Sequence, residues 1–166
     1  GVSADAHAIL IPEIPFDLAR LAGAIGGREA AGLKYSIVVV AEGAAPVGGV
    51  HSIVERRVGA ADRLGGMGNL VTRELAERTG KEARCVVLGH LLRGGAPTTF
   101  DRLIALRFGA AAVRALSAGD HGVMVALDPP TMRTVPLAAI ANRTRSVPLD
   151  SDTLLTARAL GISFGD

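Results

Sequence analysis

The segment Ser36–Ala41 constrains the fold of this 166-residue chain more than any other segment. It reads Ser-Ile-Val-Val-Val-Ala, so it is almost continuously apolar and rich in β-branched residues. Such a strand is typical of a position where both faces of a sheet are buried, as in a parallel sheet between helical layers. The segment therefore predicts an α/β sandwich with a mostly parallel sheet.

Strand and helix patterns alternate along the rest of the chain, which supports the same fold class. The length fits a single domain over residues 1–166. Loops are predicted at Ala44–Gly59 and Gly89–Pro97, and no internal repeat is visible. Further strands are predicted at Ala8–Ile11, Ala83–Leu88, Val123–Leu127 and Met132–Val135. One helix is predicted to begin after Asp17. Four more helices are predicted at Asn69–Thr79, Thr99–Leu116, Leu137–Arg143 and Asp152–Leu160.

Composition excludes several function classes. Aromatic residues are only 3% of the chain, which predicts an aliphatic core and argues against nucleic-acid binding by base stacking. The net charge of +2 comes from dispersed residues, and Cys85 is the single cysteine, so neither a basic patch nor a disulfide is indicated. No signal peptide is visible, and no apolar run approaches the ~20 residues that span a bilayer. We expect a soluble, cytoplasmic protein, and the start at Gly1, without Met, resembles a cut end.

Two polar clusters follow predicted strands, where open α/β sheets bind their ligands. Glu42 follows Ser36–Ala41, while His90 and Arg93 follow the strand predicted at Ala83–Leu88. Arginine clamps phosphate through parallel charge-assisted hydrogen bonds, and histidine donates to phosphates or hydroxyls near neutral pH. A carboxylate accepts hydrogen bonds from the hydroxyls of a polyol. The three side chains together suit a sugar phosphate.

Each of these residues also has an ordinary structural explanation. A histidine at a strand end is more often part of the packing than a ligand. An arginine before two glycines, such as Arg93, is often a solvated loop residue, and Glu42 could pair with a neighbouring arginine. On residue types alone, the sugar-phosphate site is the minority interpretation.

The stretch Val87–Arg102 (VLGHLLRGGAPTTFDR) favours the sugar-phosphate site over these structural explanations. It resembles the signature LGHxQRGGxPxxxDR of 6-phosphofructokinases. Further segments are similar to that family in the same order: Ile11–Glu13, the VAEG segment that ends at Gly43, the TGxExR segment Thr79–Arg84, and the tail Ala159–Asp166. The resemblance runs nearly end to end and implies the family's Rossmann-like three-layer α/β sandwich.

The resemblance also implies that four residues bind fructose 6-phosphate. The VAEG glutamate of such enzymes contacts the sugar, which implies this role for Glu42. The histidine of LGH and the arginine of RGG bind the sugar's phosphate, which implies His90 and Arg93. The arginine of TGxExR reaches that phosphate from a neighbouring subunit, so Arg84 implies a homo-oligomer, either a dimer or a tetramer. Leu92 departs from the family's glutamine, which leaves the two phosphate ligands in place but bears on the packing of the loop.

The family's segments for phosphoryl transfer are not found in this sequence. In such enzymes a GGDG motif binds the phosphoryl donor and Mg²⁺, and the aspartate of TIDND is the general base. Gly65–Gly68 (GGMG) has no acidic residue and no P-loop lysine after it, so a tight turn before a helix explains it better. The resemblance thus implies the C-terminal half of a phosphofructokinase. We expect Mg²⁺ and ATP or pyrophosphate only in the complete enzyme, and no catalytic residue, metal or cofactor site in this chain, with negligible kinase activity alone.

Two other functions stay open. The chain could be a stand-alone sugar-phosphate-binding or regulatory module that has lost catalysis, which a start codon just before Gly1 would favour. It could also be a structural paralogue that assembles with a complete partner subunit. Upstream coding sequence with GGDG and TIDND would exclude the first, and assembly without sugar binding would favour the second.

Overall fold

A computed structural model describes residues 1–49, 53–55, 63–64 and 66–166. The predicted loop Ala44–Gly59 and the predicted glycine turn Gly65–Gly68 lie partly outside these residues. The chain divides into two compact units, one of Gly1–Val87 with Ser146–Asp166 and one of Leu88–Arg145. The elements are β1 (Ala8–Leu10), α1 (Leu18–Ala30), β2 (Val38–Val40), β3 (Ile53–Glu55), β4 (Arg63–Leu64), α2 (Met67–Thr79), α3 (Thr99–Ser117), β5 (Val123–Asp128), β6 (Thr131–Pro136), α4 (Leu137–Ile140) and α5 (Asp152–Ala159), with short 3-10 helices at Val2–Ala4 and Gly89–Arg93.

The first unit is built on the parallel pair β1 and β2, whose register runs from Ala8 opposite Val38 to Leu10 opposite Val40. Parallel pairing of these strands confirms what the β-branched run predicts. The three valines of β2 are half-buried, so this strand is less enclosed than the sequence suggests. β3 and β4 form a separate antiparallel pair in the same unit.

β1 is buried on both of its faces, because successive strand side chains point to opposite sides of the sheet. Ala8 and Leu10 belong to a core cluster that includes residues of α1 and α2. Ile9 belongs to a second cluster, with residues of α5 and the C-terminal segment. The buried hydrophobic residues are aliphatic or methionine apart from Phe16 and Phe164, which confirms the prediction of an aliphatic core.

The C-terminal segment is joined to β1 and to the start of α1 by backbone hydrogen bonds. The amide of Ser163 donates to the carbonyl of His7 at 3.0 Å, and the amide of Asp17 donates to the carbonyl of Gly165 at 2.7 Å. Gly165 has φ of +78°, and a Cβ on it would lie 2.8 Å from the Cβ of Phe16. Only glycine combines this backbone conformation with so close an approach.

Two helix ends of the first unit follow the predicted capping residues, although α2 begins at Met67, two residues before its predicted start. Asp17 is the N-cap of α1, and its carboxylate accepts hydrogen bonds from the amides of Ala19 and Arg20. These backbone amides, that of Arg20 first, lower the pKa of Asp17. α2 ends at Gly80, which adopts the left-handed conformation with φ of +66°, as helix C-termini often require.

The second unit packs α3 against the antiparallel hairpin of β5 and β6. Ala111 and Ala115 are the buried residues of α3, and small side chains let helix and hairpin approach closely. The hairpin confirms the predicted strands and the turn between them, where the Pro129–Pro130 peptide bond is cis. α4 ends at Ile140, three residues before the predicted end.

The strand predicted at Ala83–Leu88 is wrong for this structure, which has no strand there. Val86 and Val87 are 76% and 64% exposed, although their side chains favour strands. The three sheets of the described residues are two-stranded, one parallel and two antiparallel. The α/β class is therefore confirmed, while the larger parallel sheet is not among these pairings. No helix within the described ranges is long and apolar enough to cross a membrane.

Candidate functional site

His90 and Arg93 lie on one short 3-10 helix of the second unit, Gly89–Arg93. A 3-10 helix has three residues per turn, so residues i and i+3 eclipse each other along its axis. The two side chains therefore leave the backbone on the same side of the turn, one above the other. Both residues are exposed to solvent. This arrangement presents an imidazole and a guanidinium together, and both groups can donate hydrogen bonds to an anionic ligand.

The backbone around this turn is fixed by local hydrogen bonds. The amide of Leu91 donates to the carbonyl of Leu88 at 2.9 Å, and the amide of Gly94 donates to the carbonyl of Leu91 at 3.1 Å. Gly95 has φ of +101°, a conformation that side chains with a Cβ rarely adopt. The positive φ explains the glycine at position 95, whereas Gly94 has an ordinary φ of −80°.

A capping box begins α3 five residues after the turn. The Thr98 hydroxyl accepts from the Asp101 amide at 3.2 Å, and the Asp101 carboxylate accepts from the Thr98 amide at 2.9 Å. The Thr98 amide and hydroxyl lower the pKa of the Asp101 carboxyl, because both donate to its ionised form. The cap defines where the loop that follows Arg93 ends and the helix begins.

Glu42 lies in the first unit, two residues after the end of β2. The amide of Ala41 donates to the carbonyl of Leu10 at 2.9 Å, which extends the pairing of β2 beyond Val40. The amide of Ala44 then donates to the carbonyl of Ala41 at 2.9 Å and closes a turn around Glu42. The Glu42 side chain is exposed. A carboxylate held at the carboxyl end of a parallel strand matches the position predicted for a ligand contact.

Arg84 also lies in the first unit, in the irregular segment after α2. Its Nε donates to Oε1 of Glu82 at 2.8 Å, and an Nη lies 2.7 Å from the same oxygen. Both side chains are largely exposed, at 83% and 74%, so the ion pair adds little to stability. The guanidinium of Arg84 is therefore held by a residue two positions away.

The four predicted residues thus fall into two units, with two residues in each. The second unit brings His90 and Arg93 together on one turn. The first unit contains Glu42 and Arg84, which belong to different segments. Among the described residues, no three His, Cys, Asp or Glu side chains are grouped so that they could hold a metal ion.

Sequence reasoning missed several polar contacts of the described residues, among them the contacts of Arg84, Glu13 and His7. It did not identify Glu82 as the partner of Arg84, although charges two residues apart are a possible signal. Glu13 accepts a hydrogen bond from the amide of Val147 at 2.8 Å, across 134 positions of sequence. His7 accepts one from the backbone of the residue before β2. The last two contacts join distant segments, and no local pattern could have indicated them.

Comparison with known proteins decides the family. The phosphofructokinase family model matches residues 1–116, more than half of the chain and the part that contains all four predicted residues. The chain belongs to the phosphofructokinase family. The resemblance of its motifs to that family is thereby confirmed.

Two relatives illustrate the range of this similarity. The chain is 49% identical over 166 residues to the ATP-dependent 6-phosphofructokinase of Chloroflexus aggregans, covering all of this chain and 45% of that protein. It is 43% identical over 153 residues to the pyrophosphate–fructose 6-phosphate 1-phosphotransferase of Amycolatopsis methanolica, covering 89% of this chain and 44% of that protein. The chain thus spans less than half the length of these curated relatives, whose names include both phosphoryl donors.

The fold is also similar to a solved phosphofructokinase. The crystal structure of the pyrophosphate-dependent phosphofructokinase from Marinobacter aquaeolei superimposes with a TM-score of 0.67, at 20% identity. The match covers 90% of this chain and 37% of that one. At this identity the likeness concerns the fold alone, and it supports the α/β class.

Proposed function

We propose that this chain supplies the fructose 6-phosphate-binding part of a 6-phosphofructokinase, the enzyme that converts fructose 6-phosphate into fructose 1,6-bisphosphate in glycolysis. The observation that carries the proposal is the single turn that presents His90 and Arg93 on one side, within the span of the family match. The proposal includes the Rossmann-like three-layer fold, a single domain over residues 1–166, and a cytoplasmic location. β1 supports the layered fold, because its two faces pack in different clusters.

In this proposal, Arg93 and His90 bind the phosphate of the sugar. Arginine offers a planar fork of donors that matches two phosphate oxygens, and imidazole adds a third donor. Glu42 is proposed to accept hydrogen bonds from sugar hydroxyls, the role that the family resemblance implies for it. These groups bind and orient the sugar, so the reaction itself depends on a phosphoryl donor, which is ATP or pyrophosphate, with Mg²⁺. Neither is assigned to residues of this chain.

Arg84 is proposed to act across a subunit interface of a homo-oligomer, a dimer or a tetramer. Its ion pair with Glu82 is exposed and therefore weak. A phosphate that carries two charges can replace one carboxylate as the partner of the guanidinium, because both are recognised by the same donors. The observed ion pair is thus compatible with a residue that changes partner on ligand binding.

A calorimetric titration of this chain with fructose 6-phosphate tests the proposal. Arg93→Ala removes the phosphate clamp, and Arg145→Ala is the matched control, because Arg145 is an exposed arginine of the same unit. We expect saturable binding that Arg145→Ala retains. Arg93→Ala should weaken it at least tenfold, since one charge-assisted hydrogen bond contributes about 1.5–3 kcal/mol.

Absence of binding in a chain shown to be folded by circular dichroism would contradict the proposal that it holds the sugar by itself. Equal loss of binding in both arginine variants would refute the assigned role of Arg93, because a general charge effect would then explain the result. The chain alone is also expected to lack phosphoryl transfer, and turnover with either donor would contradict that expectation.

A further inference from the structure

The ring of His7 accepts a hydrogen bond from the backbone just before β2. The amide of Ile37 donates to Nδ1 of His7 at 2.8 Å. The backbone of the same histidine joins two further segments: its amide donates to the carbonyl of Ile37 at 2.8 Å, and its carbonyl accepts from the amide of Ser163 at 3.0 Å. His7 therefore lies where β1, the residues before β2 and the C-terminal segment meet.

This contact requires an unprotonated nitrogen. In neutral imidazole one nitrogen carries a proton and the other accepts, whereas in the imidazolium form both nitrogens donate. The amide of Ile37 is also a donor, so the protonated ring would place two N–H groups against each other at 2.8 Å. The hydrogen bond exists only while Nδ1 is unprotonated, which also fixes the proton of the neutral ring on Nε2.

We propose that His7 is a proton-sensitive tether for the segment that leads into β2. At neutral pH the ring holds the amide of Ile37, and protonation releases it. The released segment precedes the strand that ends beside Glu42. The tether itself follows from His7 and Ile37 and does not depend on the sugar site.

The neighbouring groups do not remove this requirement. Tyr35 contacts the imidazole edge to face, with ring centroids 5.8 Å apart and planes at 72°. The other charged groups on the joined segments are Asp5, Lys34 and Asp166, and Asp166 is bound by Arg158.

Amide hydrogen exchange of this chain tests the tether. The protection factor of the Ile37 amide, corrected for intrinsic exchange, is measured at about pH 8 and at about pH 5, the span over which imidazoles in general change their charge. We expect it to fall about fivefold on acidification, the usual effect of one net hydrogen bond. The amide of Ala44, which donates to the carbonyl of Ala41 in the same unit, is the internal reference.

Two variants separate the tether from other titrations. His7→Asn keeps an acceptor oxygen near the position of Nδ1 but does not titrate, so protection of Ile37 should be independent of pH. His121→Asn removes an exposed histidine of the other unit and should leave the acid-induced loss unchanged. Unchanged protection of Ile37 in the unmodified chain, or the same loss in His7→Asn, would overturn the proposal.

Discussion

Truncation of Leu10 to alanine tests the core that supports β1. Leu10 is fully buried in the cluster that includes residues of α1 and α2. Leu10→Ala removes three carbon atoms, which costs about 2.5 kcal/mol at about 0.8 kcal/mol for each buried methylene. The cavity left behind raises the loss to about 3–5 kcal/mol, because a strand held between two packed clusters can collapse only partly.

Urea denaturation followed by far-ultraviolet circular dichroism measures this loss. With a slope of about 2 kcal/mol per molar urea, the midpoint should fall by about 1.5 M or more. Leu160→Ala is the matched control in the same unit, because Leu160 is 68% exposed. A surface truncation of this kind changes the free energy of unfolding by no more than about 0.5 kcal/mol. Equal midpoints for the two variants would refute the assignment of Leu10 to a close-packed core.

Two further perturbations test the C-terminal segment. Gly165→Ala should lower the melting temperature more than Gly161→Ala. Both glycines have φ of +78°, but only at Gly165 would the new Cβ lie 2.8 Å from Phe16. Equal melting temperatures of the two variants would contradict this close contact. Asp166→Asn should reduce stability at neutral pH by less than about 1 kcal/mol, because the pair with Arg158 is partly exposed. Arg158 lowers the pKa of Asp166, so its contribution is present above the unfolded value of about 3.9 and is lost as the pH falls through the lower folded value. The urea midpoints of the unmodified chain and of Asp166→Asn should therefore become equal at about pH 2. A difference in midpoint that persists at this pH would contradict the predicted direction of the pH dependence.

Much of the fold could be predicted from local patterns. The β-branched run predicts β2 and its parallel pairing, and α1 begins after its predicted cap, Asp17. These signals lie within a few residues of the element that they specify. The capping box at Thr98 likewise follows from residues three apart in sequence.

The conformation of Ala83–Leu88 could not be predicted from such local patterns. Its valines favour a strand, but a strand also needs a neighbour to supply hydrogen bonds and cross-strand packing. The candidate site shows the same difference. Local sequence predicts that His90 and Arg93 share a loop, while the ion pair of Arg84 with Glu82 depends on side-chain geometry that a motif does not specify.

The turn Gly89–Arg93 has a consequence for how its sequence can vary. Leu91 and Leu92 are 76% and 75% exposed, so their side chains add little to the packing of the described residues. The number of residues between His90 and Arg93 does matter. In a helix of three residues per turn, insertion or deletion of one residue would rotate Arg93 by about 120° away from His90. The exposure of Leu92 is compatible with leucine at the position of the family's glutamine, whereas a change of length at this turn would separate the side chains of His90 and Arg93.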